Sequence, residues 1–89
     1  MNKIYLDARE MEHPEPLEKA IAILRELDNE SCLYMIHRKN PLPLLALAKE
    51  HNLNSMASEA DGVWHILICI DRDADLESLI ENNIVDERF

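Results

Sequence analysis

The order of apolar and polar residues predicts four β-strands. An alternation of polar and apolar side chains over residues 3–7 is typical of a first strand. Residues 32–37 form a continuous run of strand-forming residues, which favours a central strand covered on both faces. Residues 53–59 are polar enough for the edge of a sheet. The strongest run, residues 63–70, directly follows the hairpin signal Asp61-Gly62.

Two longer segments carry apolar residues at helical spacing. The first begins at Pro16 and is predicted to end near Asp28 and Asn29, whose side chains favour a turn. The second begins at Pro41-Leu42-Pro43 and is predicted to run to about His51. Proline suits the first turn of a helix because an N–H at that position has no partner within the helix.

The last part of the chain predicts a short amphipathic helix over residues 75–83, with Asp73 or Asp75 as its N-cap. Right-handed crossovers should place the two long helices on one face of the sheet. The opposite face would then expose apolar side chains and need a cover. The apolar side chains on this open face would be Cys32, Tyr34, Ile36, Leu67 and Cys69. We therefore expect a domain over residues 1–71 and a helical tail over residues 72–89, which covers the open face or mediates a homodimer.

Composition narrows the class of protein. A length of 89 residues indicates one domain. Eighteen acidic against nine basic residues give a net charge of −9, which argues against a nucleic-acid partner. No apolar run reaches the roughly 20 residues of a membrane span, and the N-terminus lacks the apolar core of a signal peptide. A cytoplasmic protein that does not bind membranes is expected.

Basic and histidine side chains cluster in the two loops that precede the predicted helices. Both loops follow the carboxyl ends of strands, so both helix starts should meet at one edge of the sheet, where ligands favour binding. The helix dipoles would make that edge attractive to a small anion or an acidic partner protein. The alternative is two well-formed helix starts with solvated charges around them. The predicted binding residues are Arg9, His13, Pro14, Glu15, Pro16, His37, Arg38, Lys39 and Pro41.

Other chemistry is less well supported by the sequence. His13 and His37 could approach each other at that edge, although their spacing matches no metal-binding motif. Cys32 and Cys69 form no CxxC pair, but they would be neighbours if their strands pair antiparallel, which makes a regulatory disulfide conceivable. The single glycine, Gly62, lies in the hairpin, so there is no glycine-rich phosphate loop. We expect no cofactor and assign no catalytic residue.

The segment Leu6-Asp7-Ala8-Arg9, followed by His13-Pro14-Glu15-Pro16, resembles the TusA/SirA-type sulfur carriers. Those carriers have Leu-Asp-Ala and then Cys-Pro-x-Pro at the start of the first helix. The resemblance extends over residues 4–71. It implies a two-layer α/β fold in the order β-α-β-α-β-β, a mixed four-stranded sheet with strand order 1-2-4-3, and both helices on one face. A second Pro-x-Pro-Leu at residues 41–44 is typical of an uncharacterised bacterial branch of that fold.

The differences from the carriers decide the functional hypotheses. His13 stands where the carriers have the cysteine that bears the persulfide, and imidazole cannot hold a sulfane sulfur. Glu10 replaces the glycine that is usual before the motif. The first hypothesis is therefore a non-enzymatic binding module for a protein partner or a small anion. The alternatives are a sulfur-transfer or redox-linked accessory protein that uses Cys32 or Cys69, and a metal- or cofactor-binding domain that uses His13 and His37.

Overall fold

The computed structural model describes residues 2–80 and contains the predicted elements in the predicted order. They are β1 (Asn2–Asp7), α1 (Glu15–Leu24), β2 (Ser31–His37), α2 (Leu42–Glu50), β3 (Asn54–Ala60) and β4 (Val63–Cys69). Residues 76–80 then form a further helical segment. Each predicted strand differs from the observed one by one residue or less at either end.

The sheet has the predicted order β1-β2-β4-β3. Strand β1 pairs parallel with β2, whereas β4 pairs antiparallel with both β2 and β3. The central strands β2 and β4 carry the long apolar runs because both of their faces are covered. Strand β3 lies at an edge, as its polar composition predicts. The two-layer α/β fold class is therefore confirmed.

One face of the sheet packs against both long helices. Alternate residues of the central strands point to this side, so Leu33 and Met35 of β2 lie beside Ile66 and Ile68 of β4. The helices add small and apolar side chains to the same core. The fully or nearly buried members of this helix-side core are Leu6, Ala8, Ala20, Leu33, Met35, Leu44, Ala48, Ile66 and Ile68.

The opposite face carries a second apolar core, which the helical segment at residues 76–80 covers. Leu76 and Ile80 are 4% and 2% exposed and pack on the sheet side chains. Asp75 caps this segment by accepting the N–H of Ser78 at 3.2 Å, so the predicted N-cap is confirmed. The members of the tail-side core are Cys32, Tyr34, Ile36, Leu67, Cys69, Leu76 and Ile80. Residues 81–89 of the predicted tail lie outside the described residues, and the dimer alternative stays a prediction.

Helix α1 ends at Leu24, four residues before the predicted end at Asp28. The chain must reverse within a few residues to enter β2, and Asp28 closes that turn. Its carboxylate accepts the N–H of Glu30 and the hydroxyl of Ser31, both at 2.9 Å. None of the helices within residues 2–80 is long and apolar enough to cross a membrane.

Candidate functional site

The two long helices begin with the same local sequence, Pro-x-Pro-Leu. In each helix one proline occupies the N-cap, Pro14 in α1 and Pro41 in α2, and neither N-cap forms a side-chain hydrogen bond. A second proline, Pro16 or Pro43, occupies the second helical position. Proline fixes its own φ near the helical value and lacks the N–H that would otherwise need a partner. The prolines therefore replace the usual side-chain cap.

This way of starting a helix removes most of the donors that an anion would use. Of the four positions from the N-cap to the third helical residue, two are prolines and have no N–H at all. The N–H of Glu15 donates to the carbonyl of Glu12, and the N–H of Leu42 donates to the carbonyl of Asn40, both at 2.9 Å. Only the third helical residue of each helix, a leucine in both, keeps an N–H for a ligand. Both helix starts thus offer fewer donors to an anion than an ordinary helix N-terminus.

A cavity of about 570 Å³ lies between the two helix starts, next to the carboxyl end of β2. Its apolar wall combines side chains from the loop before α1, from both helices and from β2. These are Met11, Pro16, Leu17, Met35, Pro41, Pro43 and Leu44. The polar side chains of the lining are Glu12, His13, His37, Lys39 and Asn40. The cavity is therefore a mainly apolar space in which polar groups gather on the two loops.

Seven of the nine predicted binding residues belong to this part of the molecule. His13, Pro16, His37, Lys39 and Pro41 line the cavity. Pro14 and Glu15 form the start of α1 beside it, without contributing to the lining. The structure thus brings together both helix starts and both histidines of the predicted edge.

The two predicted arginines lie outside the cavity lining and are engaged by nearby carboxylates. The Arg9 guanidinium donates to both oxygens of Asp7, at 3.0 and 2.8 Å. Arg38 donates to Glu10 at 3.1 Å. The Arg9 guanidinium also lowers the pKa of the Asp7 carboxyl below its usual range. Lys39 is therefore the one basic side chain in the lining, and it forms no ion pair with any carboxylate of residues 2–80.

Other lining residues were not predicted from the sequence. They are Met11, Glu12, Leu17, Met35, Asn40, Pro43 and Leu44. Four of them carried a usable signal: Leu17, Pro43 and Leu44 belong to the Pro-x-Pro-Leu segments, and Met35 alternates with His37 on the same face of β2. Asn40 gave no such signal. Its Oδ1 atom is buried and receives no hydrogen bond from any group in the described part of the chain.

His37 has a defined tautomer in this arrangement. Its Nδ1 accepts the backbone N–H of Arg38 at 2.9 Å, so the ring proton of the neutral imidazole lies on Nε2. Partial burial lowers the pKa of His37 below 6.5, and the charge of Lys39 lowers it further. His37 is therefore a neutral hydrogen-bond donor at pH 7.

Nuclear magnetic resonance of the ring nitrogens tests this assignment. We expect the Nε2–H tautomer and a His37 pKa below 6.5. Lys39→Met should raise this pKa, because removing a nearby positive charge favours the imidazolium, whereas Lys19→Met on the surface of α1 should not change it. An Nδ1–H tautomer, or a pKa at or above 6.5 in the unmodified protein, would contradict the assignment.

A metal centre at this site would need further ligands. His13 and His37 both line the cavity. No group of three or more histidine, cysteine, aspartate or glutamate side chains within residues 2–80 is placed to hold a metal ion. The metal hypothesis therefore remains a prediction based on two histidines.

The two cysteines lie far from this site, on the tail side of the sheet. They are direct partners across the antiparallel pair of β2 and β4, and both are free thiols in the buried tail-side core. The Cys69 thiol donates to the carbonyl of Asp71 at 3.3 Å. Burial raises the pKa of the Cys32 thiol, and burial together with the neighbouring Cys32 raises the pKa of Cys69 to about 11. Little reactive thiolate forms at neutral pH.

Comparison with known proteins identifies the family. A family model described as an uncharacterized conserved protein, DUF2249, matches residues 5–69. The matched segment runs from β1 to the end of β4 and includes both helix starts. No curated protein and no solved structure gives a significant match. Because the match covers well over half of its length, this chain belongs to the DUF2249 family of uncharacterised conserved proteins.

Proposed function

We propose that this protein is a non-enzymatic binding module whose ligand site is the cavity between the two Pro-x-Pro helix starts. The observation that carries the proposal is the composition of that cavity. Its volume of about 570 Å³ falls in the range of small-molecule sites, and a few polar groups accompany an apolar wall. Lys39 gives the lining one positive charge without an ion-pair partner among residues 2–80. The ligand is an anionic group on an apolar body, either a small molecule or part of a partner protein.

The described part of the lining offers no hydroxyl or thiol nucleophile. It contains no serine, threonine, cysteine or tyrosine among the described residues. His37 already uses Nδ1 to accept a backbone N–H, so it can orient a ligand but has no free nitrogen to act as a base. These features favour binding over a chemical step.

A structural relationship to the TusA/SirA-type carriers is part of the proposal, but sulfur carriage is not. The position of the carriers' reactive cysteine is occupied by His13 at the cavity. Cys32 and Cys69 lie on the opposite face of the sheet and are fully buried. A sulfur carrier needs an exposed thiolate that a donor and an acceptor protein can both reach. The arrangement of thiols therefore supports a binding role in preference to sulfur transfer.

A fluorescent apolar anion tests the proposal without knowledge of the natural ligand. We expect 1-anilinonaphthalene-8-sulfonate to bind the folded protein in a 1:1 ratio with enhanced fluorescence. Lys39→Met should weaken this binding about 5-fold, the effect of one exposed charge pair. Leu17→Phe, which adds volume to the cavity wall, should weaken it as well.

Matched controls separate this site from general surface binding. Lys19→Met removes one surface positive charge outside the lining and should leave the affinity unchanged, while circular dichroism confirms that every variant is folded. The proposal fails if the dye does not bind, or if Lys39→Met and Leu17→Phe bind it as well as the unmodified protein.

A further inference from the structure

The charge of the cavity lining sets the charge of the ligand. Among residues 2–80, Lys39 is the one lysine or arginine of the lining and Glu12 the one carboxylate, while Arg9 and Arg38 are held by Asp7 and Glu10 outside it. With His37 neutral, this lining cannot balance a dianion such as phosphate in a protein of net charge −9. The prolines also remove the backbone N–H groups with which helix N-termini usually bind phosphate. Lys39 forms no ion pair with Glu12 or with any other carboxylate of residues 2–80, so its ammonium is available to one negative charge on a ligand.

The donors in the lining are arranged for a carboxylate. The proton of His37 lies on Nε2, because Nδ1 accepts the N–H of Arg38. The Lys39 ammonium, two residues further along the chain, supplies a charged donor. A carboxylate has two oxygens that can each accept one of these donors. His37 is the last residue of β2, Lys39 lies in the loop that follows, and both side chains line the cavity, so one anionic group can contact both.

Asn40 adds a requirement for a donor on the ligand. Its Oδ1 is buried without a hydrogen-bond partner in the described part of the chain, and such groups normally have one. Asn40 itself is half-buried and lines the cavity, so rotation of its terminal amide can turn this oxygen towards a ligand. A carboxylate cannot donate to it. The ligand therefore needs an O–H or N–H close to its carboxylate.

The rest of the lining calls for an aliphatic group. Seven apolar side chains form the wall, including Met11, Leu17 and Met35. Leu42, which lies between the lining residues Pro41 and Pro43, is 63% exposed. Apolar surface at and beside the cavity favours a ligand with an apolar body such as an aliphatic side chain, whose burial supplies most of the binding free energy.

We propose that the cavity binds a monocarboxylate that carries a hydrogen-bond donor on the carbon next to the carboxylate and an aliphatic side chain. This inference rests on the proposed function and names its ligand class. A 2-hydroxy acid and the C-terminal residue of a peptide both have this chemistry. A free amino acid fits less well, because its ammonium would lie near Lys39.

Titration of the isotope-labelled protein with matched leucine derivatives tests the proposal. We expect saturable chemical-shift changes at the cavity residues with N-acetyl-leucine and with 2-hydroxy-4-methylpentanoate, with dissociation constants of the order of 1 mM. N-acetyl-leucinamide, which lacks the carboxylate, and 4-methylpentanoate, which lacks the donor, should each bind at least about 5-fold more weakly. Tighter binding of N-acetyl-leucine identifies a peptide end as the source, and tighter binding of the hydroxy acid identifies a small molecule.

Variants of the protein show which side chains contact the ligand. Lys39→Met should weaken the two acids about 5-fold and leave N-acetyl-leucinamide unaffected. Asn40→Ala should reduce the advantage of the hydroxy acid over 4-methylpentanoate, and Lys19→Met should change nothing.

Equal binding of N-acetyl-leucine and N-acetyl-leucinamide would overturn the ligand class. If the fluorescent anion binds but neither acid does, the ligand class is wrong while the site survives. If the fluorescent anion also fails to bind, the proposed function itself is wrong.

Discussion

Replacing Leu76 and Ile80 together with alanine is expected to lower the free energy of unfolding by about 4–6 kcal/mol. Both side chains are almost completely buried in the tail-side core, between the sheet and the helical segment at residues 76–80. Truncating a buried leucine or isoleucine costs about 2–5 kcal/mol, because apolar surface is lost and a cavity remains. A domain of this size has a total stability of roughly 4–13 kcal/mol, so this loss is a large share of the total.

Urea unfolding followed by circular dichroism and by the fluorescence of Trp64 measures this effect. Trp64 is the single tryptophan and packs at the helix-side core, so its signal reports on the whole sheet rather than on the tail. Glu77→Ala, an exposed change in the same helical segment, should stay within about 0.5 kcal/mol of the unmodified protein. If the free energy of unfolding of the double variant lies within 1 kcal/mol of that of the unmodified protein, the helical segment contributes little to the stability of the domain.

Ile68→Ala, a truncation in the centre of the helix-side core, should lower the free energy of unfolding by about 3–4 kcal/mol. Ile68 is fully buried on the central strand β4, where its neighbours in the sheet are Leu33 of β2 and Ser55 of β3. Small residues of the helices, Ala20 and Ala48, share its core. Alanine cannot extend to fill the space that Ile68 leaves, so the cavity should persist.

The valine variant at the same position provides the control. Ile68→Val removes one methylene and should cost about 1 kcal/mol, with the slope of the urea transition unchanged. If Ile68→Ala and Ile68→Val destabilise the protein equally, the helix layer must collapse into the cavity, and the packing described for this core would be wrong.

Most of the fold could be predicted from the sequence, because the relevant signals are local. The apolar runs of β2 and β4 indicate strands that are covered on both faces, and the two sets of alternating residues correctly separate the helix-side core from the tail-side core. The end of α1 could not be predicted from the apolar pattern. Leu27 continues the helical spacing, but the turn closed by Asp28 and Ser31 ends the helix earlier, because the chain must enter β2.

The site was predictable only in part, because its composition depends on loop paths. Parallel pairing of β1 and β2 places both helix starts at one edge, as expected from the order of the predicted elements. The sequence does not reveal that Arg9 folds back on Asp7 and that Arg38 reaches Glu10 across 28 positions in the chain. Those ion pairs leave Lys39 as the basic residue of the cavity, where three were expected nearby.

The proline-led helix starts have a consequence for how this fold can diversify. In most helices the residues just before the first turn are constrained, because a serine, threonine or aspartate there must hold the chain. Here the proline rings at positions 14 and 41 perform that task, and the side chains at positions 13, 39 and 40 take no part in it. If the cavity binds a ligand as proposed, substitutions at these positions would change what it recognises with little effect on folding. Related chains that keep both Pro-x-Pro-Leu segments could therefore share one scaffold while binding different ligands.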